Sequence, residues 1–407
     1  MVEPALYDLS PLARLMLTGV VLAAAPLLWV WLRHREQEPA ARLRALTWVT
    51  LFLTFDLIAF GAFTRLTDSG LGCPDWPGCY GSASPLGARE SIRAAEAALP
   101  TGPVTISKAW IEMIHRYLAT AVGVLILTMT VVSWHNWRQA CRSPMAERAG
   151  PSTTGAGLRI HPAWATATLV WVCVQGAFGA LTVTMKLFPA IVTLHLLGGL
   201  GLLCLLTVQA ARLQASGHIA QPSGKPPVAL EPSWLRAGVA IVLLLVVVQI
   251  ALGGWVSTNY AVLACTEFPR CQGVWWPPMN FAEGFELWRE LGHTAAGAPI
   301  TFAALTAIHM AHRLFASVVV VALLLLAVVL IRYPRRRGQA VALGALLGLQ
   351  LLTGLSNIVL GWPLLAAVLH TSGAAALMAV LTWAWAAPQT GAEAIKPAPL
   401  FRTSCPT

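Results

Sequence analysis

Charge is scarce in this sequence. Of 407 residues only 11% are Asp, Glu, Lys or Arg, against 57% hydrophobic, and the mean hydropathy is +0.67. A soluble domain carries about 25% charged residues and could not hide this much apolar surface from water, which excludes a soluble globular fold. A continuous basic face is missing too. The formal charge of +10 comes from Lys and Arg residues set between apolar runs, a pattern that excludes a nucleic-acid-binding surface and matches orientation charges on a membrane protein. No basic cluster precedes the first apolar run either. Glu3 and Asp8 stand before it and Arg33 and Arg35 follow it, so the run reads as a retained helix rather than a signal peptide.

Long apolar segments are what the sequence has in abundance. Nine reach the roughly 20 residues needed to cross a bilayer core. They cover approximately 11–32, 45–65, 108–133, 162–184, 190–211, 234–257, 306–331, 339–360 and 364–386. Basic residues alternate between loops: Arg33, Arg35, Arg42 and Arg44 after the first span, Arg138, Arg142, Arg148 and Arg159 after the third. Arg212, Lys225 and Arg236 follow around the fifth-to-sixth connection, and Arg332, Arg335, Arg336 and Arg337 after the seventh. The positive-inside rule then sets the amino terminus outside and the carboxyl terminus inside. Long outer loops are expected at 66–107 and 258–305. The inner segment 142–160 and the tail are rich in small residues and Pro and are expected to be mobile.

Internal repetition organises the chain. Gly61, Leu71, Cys73, Pro77, Cys79 and Gly81 recur 192 residues later as Gly253, Leu263, Cys265, Pro269, Cys271 and Gly273. Glu112-x-x-His115-Arg116 pairs with His309-x-x-His312-Arg313, and Gln175 and His195 pair with Gln350 and His370. The expected fold is an all-α membrane protein: two parallel four-helix-bundle repeats plus one extra N-terminal transmembrane helix, nine spans in all. The expected division is 1–44 for the extra helix and its loop, 45–212 and 213–387 for the two bundles, and 388–407 for a cytoplasmic tail.

Ionisable residues within membrane spans are costly and usually functional. His115 and His195 lie within the first two turns of helices that enter from outside, and His312 and His370 occupy the same place in the second unit. One pair per bundle gives two imidazoles able to grip an iron from opposite sides, and haem suits an apolar bundle interior. Zinc wants four clustered ligands, and each bundle offers too few. Helix-packing histidines are the bland alternative, and four at repeated positions weigh against it. His34, His135, His161, His218 and His293 fall in loops or at span ends and are read as non-functional.

Glu112 sits one turn before His115, on the same face, whereas its counterpart is His309. Only the first unit thus carries a carboxylate beside its iron site, either to move protons and stabilise developing positive charge or to pair with Lys108 or Arg116. This asymmetry predicts that the first unit reacts and the second transfers electrons. Arg116 and Arg313 are propionate partners or interfacial arginines. Cys73–Cys79 and Cys265–Cys271 lie in outer, oxidising loops, where a disulfide within each loop is expected. Either pair could serve as a clip, and Cys73–Cys79 equally as a redox couple. Cys173 and Cys204 read as packing residues, and Cys141 and Cys405, facing inside, as reduced thiols.

These residues resemble the haem A synthase family, the membrane enzymes that make haem A for terminal oxidases. The matches are Thr64-Arg-Leu-Thr-Asp-Ser-Gly-Leu-Gly-Cys-Pro-Asp-Trp76, the Glu112-x-x-His115-Arg116 and His309-x-x-His312-Arg313 motifs, and the lone His195 and His370, spread over roughly 45–387. The resemblance implies haem O as substrate between His115 and His195, and haem B as resident cofactor between His312 and His370. Glu112 is then the catalytic carboxylate, acting on the methyl group that two hydroxylations and loss of water convert to the formyl of haem A. It also implies an inner-membrane, multi-pass location with both sites near the outer face. Implied partners are a haem O synthase as supplier, an unassigned electron acceptor, membrane lipid and further copies of the chain as a homo-oligomer. Nine spans rather than eight, and a second Cys pair, depart from the family pattern. Two readings compete: a di-haem b-type electron-transfer protein, which leaves Glu112 without a purpose, and a transporter, which predicts polar residues near mid-membrane.

Overall fold

The structure, a computed structural model, describes residues 10–142, 161–218 and 231–387. The inner segment beyond residue 142, Lys225, the 388–407 tail and Cys405 lie outside the described residues, as does the side chain of His218. Among the described residues there is no β-sheet, and nine helices are long and apolar enough to cross a membrane. These are α1 (Ser10–Arg33), α2 (Pro39–Leu66), α4 (Ile106–Arg142), α5 (Ala163–Thr184), α6 (Pro189–His218), α7 (Ser233–Thr258), α9 (Phe302–Ile331), α10 (Arg337–Val359) and α11 (Leu364–Ala386). Two short helices, α3 (Arg89–Ala98) and α8 (Phe281–Gly284), fold within the long loops.

Several helices outrun the apolar runs that announce them. α4 has 37 residues, about 55 Å of helix against a hydrocarbon core of about 30 Å. Its start is set by the Thr105 hydroxyl, which accepts from the Lys108 N–H at 3.2 Å. α9 begins the same way, with Thr301 accepting from the Ala304 N–H at 3.3 Å. Capping chemistry, not hydropathy, therefore places these ends, and His115 and His312 fall in the third turn of their helices rather than the first two. Their depths still match, about 13 and 15 Å along the axis, against about 9 Å for His195 and His370.

α2, α4, α5 and α6 each touch the next and close into a ring, and so do α7, α9, α10 and α11. The rings meet where α2 and α6 pack on α7 and α11, and α1 lies outside, against α4 and α2. Lipid is as apolar as a leucine, so packing and internal hydrogen bonds, rather than escape from water, hold such rings together. One apolar cluster joins Leu203, Val239, Leu323, Leu343 and Leu381, and another joins Ala23, Leu46, Leu125, Met129 and Leu206. The buried hydroxyls of Thr47, Thr50 and Thr54 each donate to the carbonyl one turn earlier on α2, so none of the three is left bare in the membrane.

A polar knot ties the rings together at the loop end. Arg65 donates to the Ser257 carbonyl at 2.7 Å and to the Tyr260 hydroxyl at 2.9 Å, and Tyr260 donates to Asp68 Oδ1 at 2.6 Å. Burial raises the Tyr260 hydroxyl above its ordinary pKa while Arg65 lowers it, so it remains a donor. One cysteine departs from expectation: Cys141 is disulfide-bonded rather than a reduced thiol. The reduced reading rested on the compartment's redox state, which chain geometry does not encode.

Candidate functional site

Each of the four span histidines leans against a glycine on a neighbouring helix. A Cβ at Gly61 on α2 would lie 3.0 Å from His115 Cε1 on α4, and one at Gly179 on α5 would lie 3.2 Å from His195 Cε1 on α6. In the other ring a Cβ at Gly253 would lie 2.9 Å from His312, and one at Gly354 would lie 3.2 Å from His370. Any larger residue would displace the imidazole. Within each pair the rings lie close enough to interact electrostatically, His115 with His195 and His312 with His370. All four are half-buried.

Hydrogen bonds orient three of these rings. Thr353 donates its proton to the Leu349 carbonyl at 2.7 Å, so its oxygen accepts from the His370 Nδ1 proton at 2.9 Å. That leaves His370 Nε2 with a free lone pair, the state an iron ligand needs. Gln175 lies 3.0 Å from His195 Nδ1 and donates to the His195 carbonyl. Gln249 lies 3.0 Å from His312 Nδ1 and donates to the His312 carbonyl at 3.2 Å. His115 instead stacks on Phe60, with ring centroids 6.2 Å apart, and its Nδ1 is buried without a partner.

The residue one turn before each ligand on α4 and α9 grips an Arg, and that Arg grips a loop. Glu112 is buried, its Oε1 2.5 Å from Arg116 Nη2 and its Oε2 accepting from the Cys73 N–H at 2.8 Å. Arg116 Nη1 donates to the carbonyls of Asp75, Pro77 and Gly78. In the second ring His309 takes the place of Glu112. Its Nδ1 donates to the Ala261 carbonyl at 3.0 Å, and its Nε2 accepts from Arg313 Nε at 3.1 Å. Arg313 in turn reaches the carbonyls of Arg270, Cys265 and Glu267. Cys73–Cys79 and Cys265–Cys271 are closed disulfides with buried sulfurs, each in a turn stitched by an acid: Asp75 to the Tyr80 and Gly81 N–H groups, Glu267 to that of Gly273. The propionate reading of Arg116 and Arg313 thus meets guanidinium groups already engaged by loop carbonyls.

This arrangement makes Arg116→Met costly. It removes the donor to three carbonyls and leaves Glu112 buried and uncompensated, a change worth about 3–5 kcal/mol. A fall in the thermal unfolding midpoint in detergent, relative to an exposed control such as Arg93→Met, is the expected result; equal midpoints would show the pair to be energetically idle.

Sequence reading picked out the four ligand candidates and Glu112, and Gly61 and Gly253 as repeat positions without a role, but missed Gln249, Thr353, Gly179 and Gly354. The signal was present as Gln175-x3-Gly179, Gln249-x3-Gly253 and Gln350-x3-Gly354. His34, His135 and His161 bond or stack locally, with Gln37, with Gln139 and with Trp134 and Trp137. His293 lies 3.1 Å from the Leu291 carbonyl.

A bare metal ion needs more ligands than two imidazoles, and among the described residues no three His, Cys, Asp or Glu side chains converge. Two neutral imidazoles per ring, each backed by a glycine, suit instead the iron of a macrocycle that supplies its own remaining ligands. Fold and site together define a polytopic membrane protein with paired imidazoles in each of two four-helix rings. Residues 44–382 match the family described as cytochrome oxidase assembly protein, COX15-CtaA. A protein named heme A synthase from Shewanella oneidensis is 36% identical over 340 residues, covering 83% of this chain and 94% of its own length. Proteins of the same name from Sphingopyxis alaskensis and Rhizorhabdus wittichii are 31% and 28% identical, covering 84% and 86% of this chain and 90% and 96% of their own lengths. The chain belongs to the COX15-CtaA family; α1 lies outside the matched region.

Proposed function

We propose that this protein is a haem A synthase, an oxidoreductase that converts the methyl group of haem O to the formyl of haem A for cytochrome oxidase assembly. The observation that carries the reading is the doubled set of glycine-backed imidazoles, together with relatives named for that activity. Haem O binds between His115 and His195, and haem B resides between His312 and His370. Bound haem supplies a redox-active iron at each place. The two bundles, 45–212 and 213–387, are parallel repeats. They sit in the inner membrane with the disulfide loops and both haem sites toward the outer face, and the amino terminus is outside. A haem O synthase is the expected supplier of substrate, and electrons leave to a separate acceptor.

Division of labour follows from position 112 and its counterpart. Glu112 offers a negative charge on the face that carries His115, suited to stabilising positive charge at the substrate carbon or to taking its proton. His309 offers neither, because one nitrogen donates to Ala261 and the other accepts from Arg313. The first bundle therefore does chemistry and the second passes electrons. Arg116 and Arg313 hold the Cys loops over their bundles, and the Glu112–Cys73 bond links the carboxylate to that loop.

Expression in cells that make haem O but no haem A tests this directly. Haem A in their extracted haem pool is the expected result; haem B bound with no haem A formed would favour the electron-transfer reading.

A further inference from the structure

Three of the four ligand histidines are braced in one way. A glutamine one helical turn before the backing glycine donates from Nε2 to the histidine's own carbonyl: Gln175 to His195, Gln249 to His312 at 3.2 Å, and Gln350 to His370 at 2.9 Å. A polar group also stands against each Nδ1. It is the Thr353 hydroxyl for His370, and the same amide Nε2 of Gln175 and Gln249 for the other two. The fourth position breaks the pattern. Gly61 backs His115 as the others do, but the residue one turn earlier is Leu57. Leucine can neither accept nor donate, and His115 Nδ1 is left buried and unpartnered.

A polar partner against the far nitrogen of a ligating histidine fixes the ring's orientation, and losing such a partner costs about 10–100-fold in metal affinity. We infer that Leu57, standing where the other sites carry glutamine, makes His115 the weak ligand of the four, so that the haem of the first bundle is exchangeable on the His115 side while that of the second is retained. Gln249 is the matching positioning residue for His312. A substrate that must enter and leave as an intact macrocycle needs one such loose grip. A resident electron carrier needs none.

The inference rests on the reading that both histidine pairs hold haem, and the test separates the two. Purified protein loaded with haem is mixed with excess apomyoglobin, and haem loss is followed by absorbance. The wild type is expected to lose haem in a fast and a slow phase. Leu57→Gln should slow the fast phase by about tenfold or more without altering the slow one. Gln249→Leu should speed the slow phase by a similar factor. Because Leu57→Gln adds a polar partner rather than removing one, slower loss in that variant is an effect that a general loosening of the fold would not produce. A fast phase unchanged by Leu57→Gln, or a slow phase unmoved by Gln249→Leu, overturns the inference while leaving the haem sites standing. Failure of the wild type to take up haem would overturn the site reading itself.

Discussion

Replacing Glu112 by Ala abolishes haem A formation in cells supplied with haem O while the protein keeps its haem B. Removing a positioned acid or base costs about 10²–10⁴-fold in rate, enough to erase product over the life of a culture. The Ala variant also leaves Arg116 buried with its charge uncompensated, so folding and chemistry could fall together. Glu112→Gln narrows this. It keeps an oxygen to accept the Cys73 N–H and nearly the same volume but gives Arg116 no second oxygen, so its unfolding midpoint and haem B content are measured beside its haem A. If Glu112 is the catalytic carboxylate, Glu112→Gln folds, binds haem and makes no haem A. Wild-type haem A from the Gln variant would remove Glu112 from the chemistry and leave it as the anchor between α4 and the Cys73 loop.

The second large effect separates the two bundles. On the proposed assignment His312→Ala removes a ligand of the resident haem, and the haem extracted per chain is expected to fall from about two to about one, the lost one being haem B. His195→Ala acts in the other ring and should spare haem B while ending haem A formation. Among the described residues the rings meet through α2 and α6 on α7 and α11 and through the Arg65–Tyr260–Asp68 knot, none of which either substitution removes, so each is expected to stay local. Visible spectra of the reduced proteins check this. Loss of both haems from either variant would mean that the rings fold or load as one unit.

Much of this was legible in the sequence, for physical reasons that differ from residue to residue. The nine spans follow from run length, since a bilayer core demands it. Their ends do not, because Thr105 and Thr301 set the starts of α4 and α9 from within polar loops. The histidine pairs were visible because a histidine inside an apolar run is costly. Their bracing was not, because Gln249 lies 63 residues from His312 and a glutamine in a membrane helix carries no obvious partner. Glu112 was visible by contrast with His309. Its bond to the Cys73 amide was hidden, since backbone donors have no sequence signature. The helix α3 lies in the loop before α4, where composition alone reads as connection.

The central claim is that four histidines, in two glycine-backed pairs, make two haem sites. A dithionite-reduced pyridine haemochrome spectrum of the purified protein, with haem type and amount per chain, tests it most directly. The account predicts haem B held through His312 and His370, accompanied by haem O or haem A in the first bundle. Protein that folds and carries no haem of any type would contradict it.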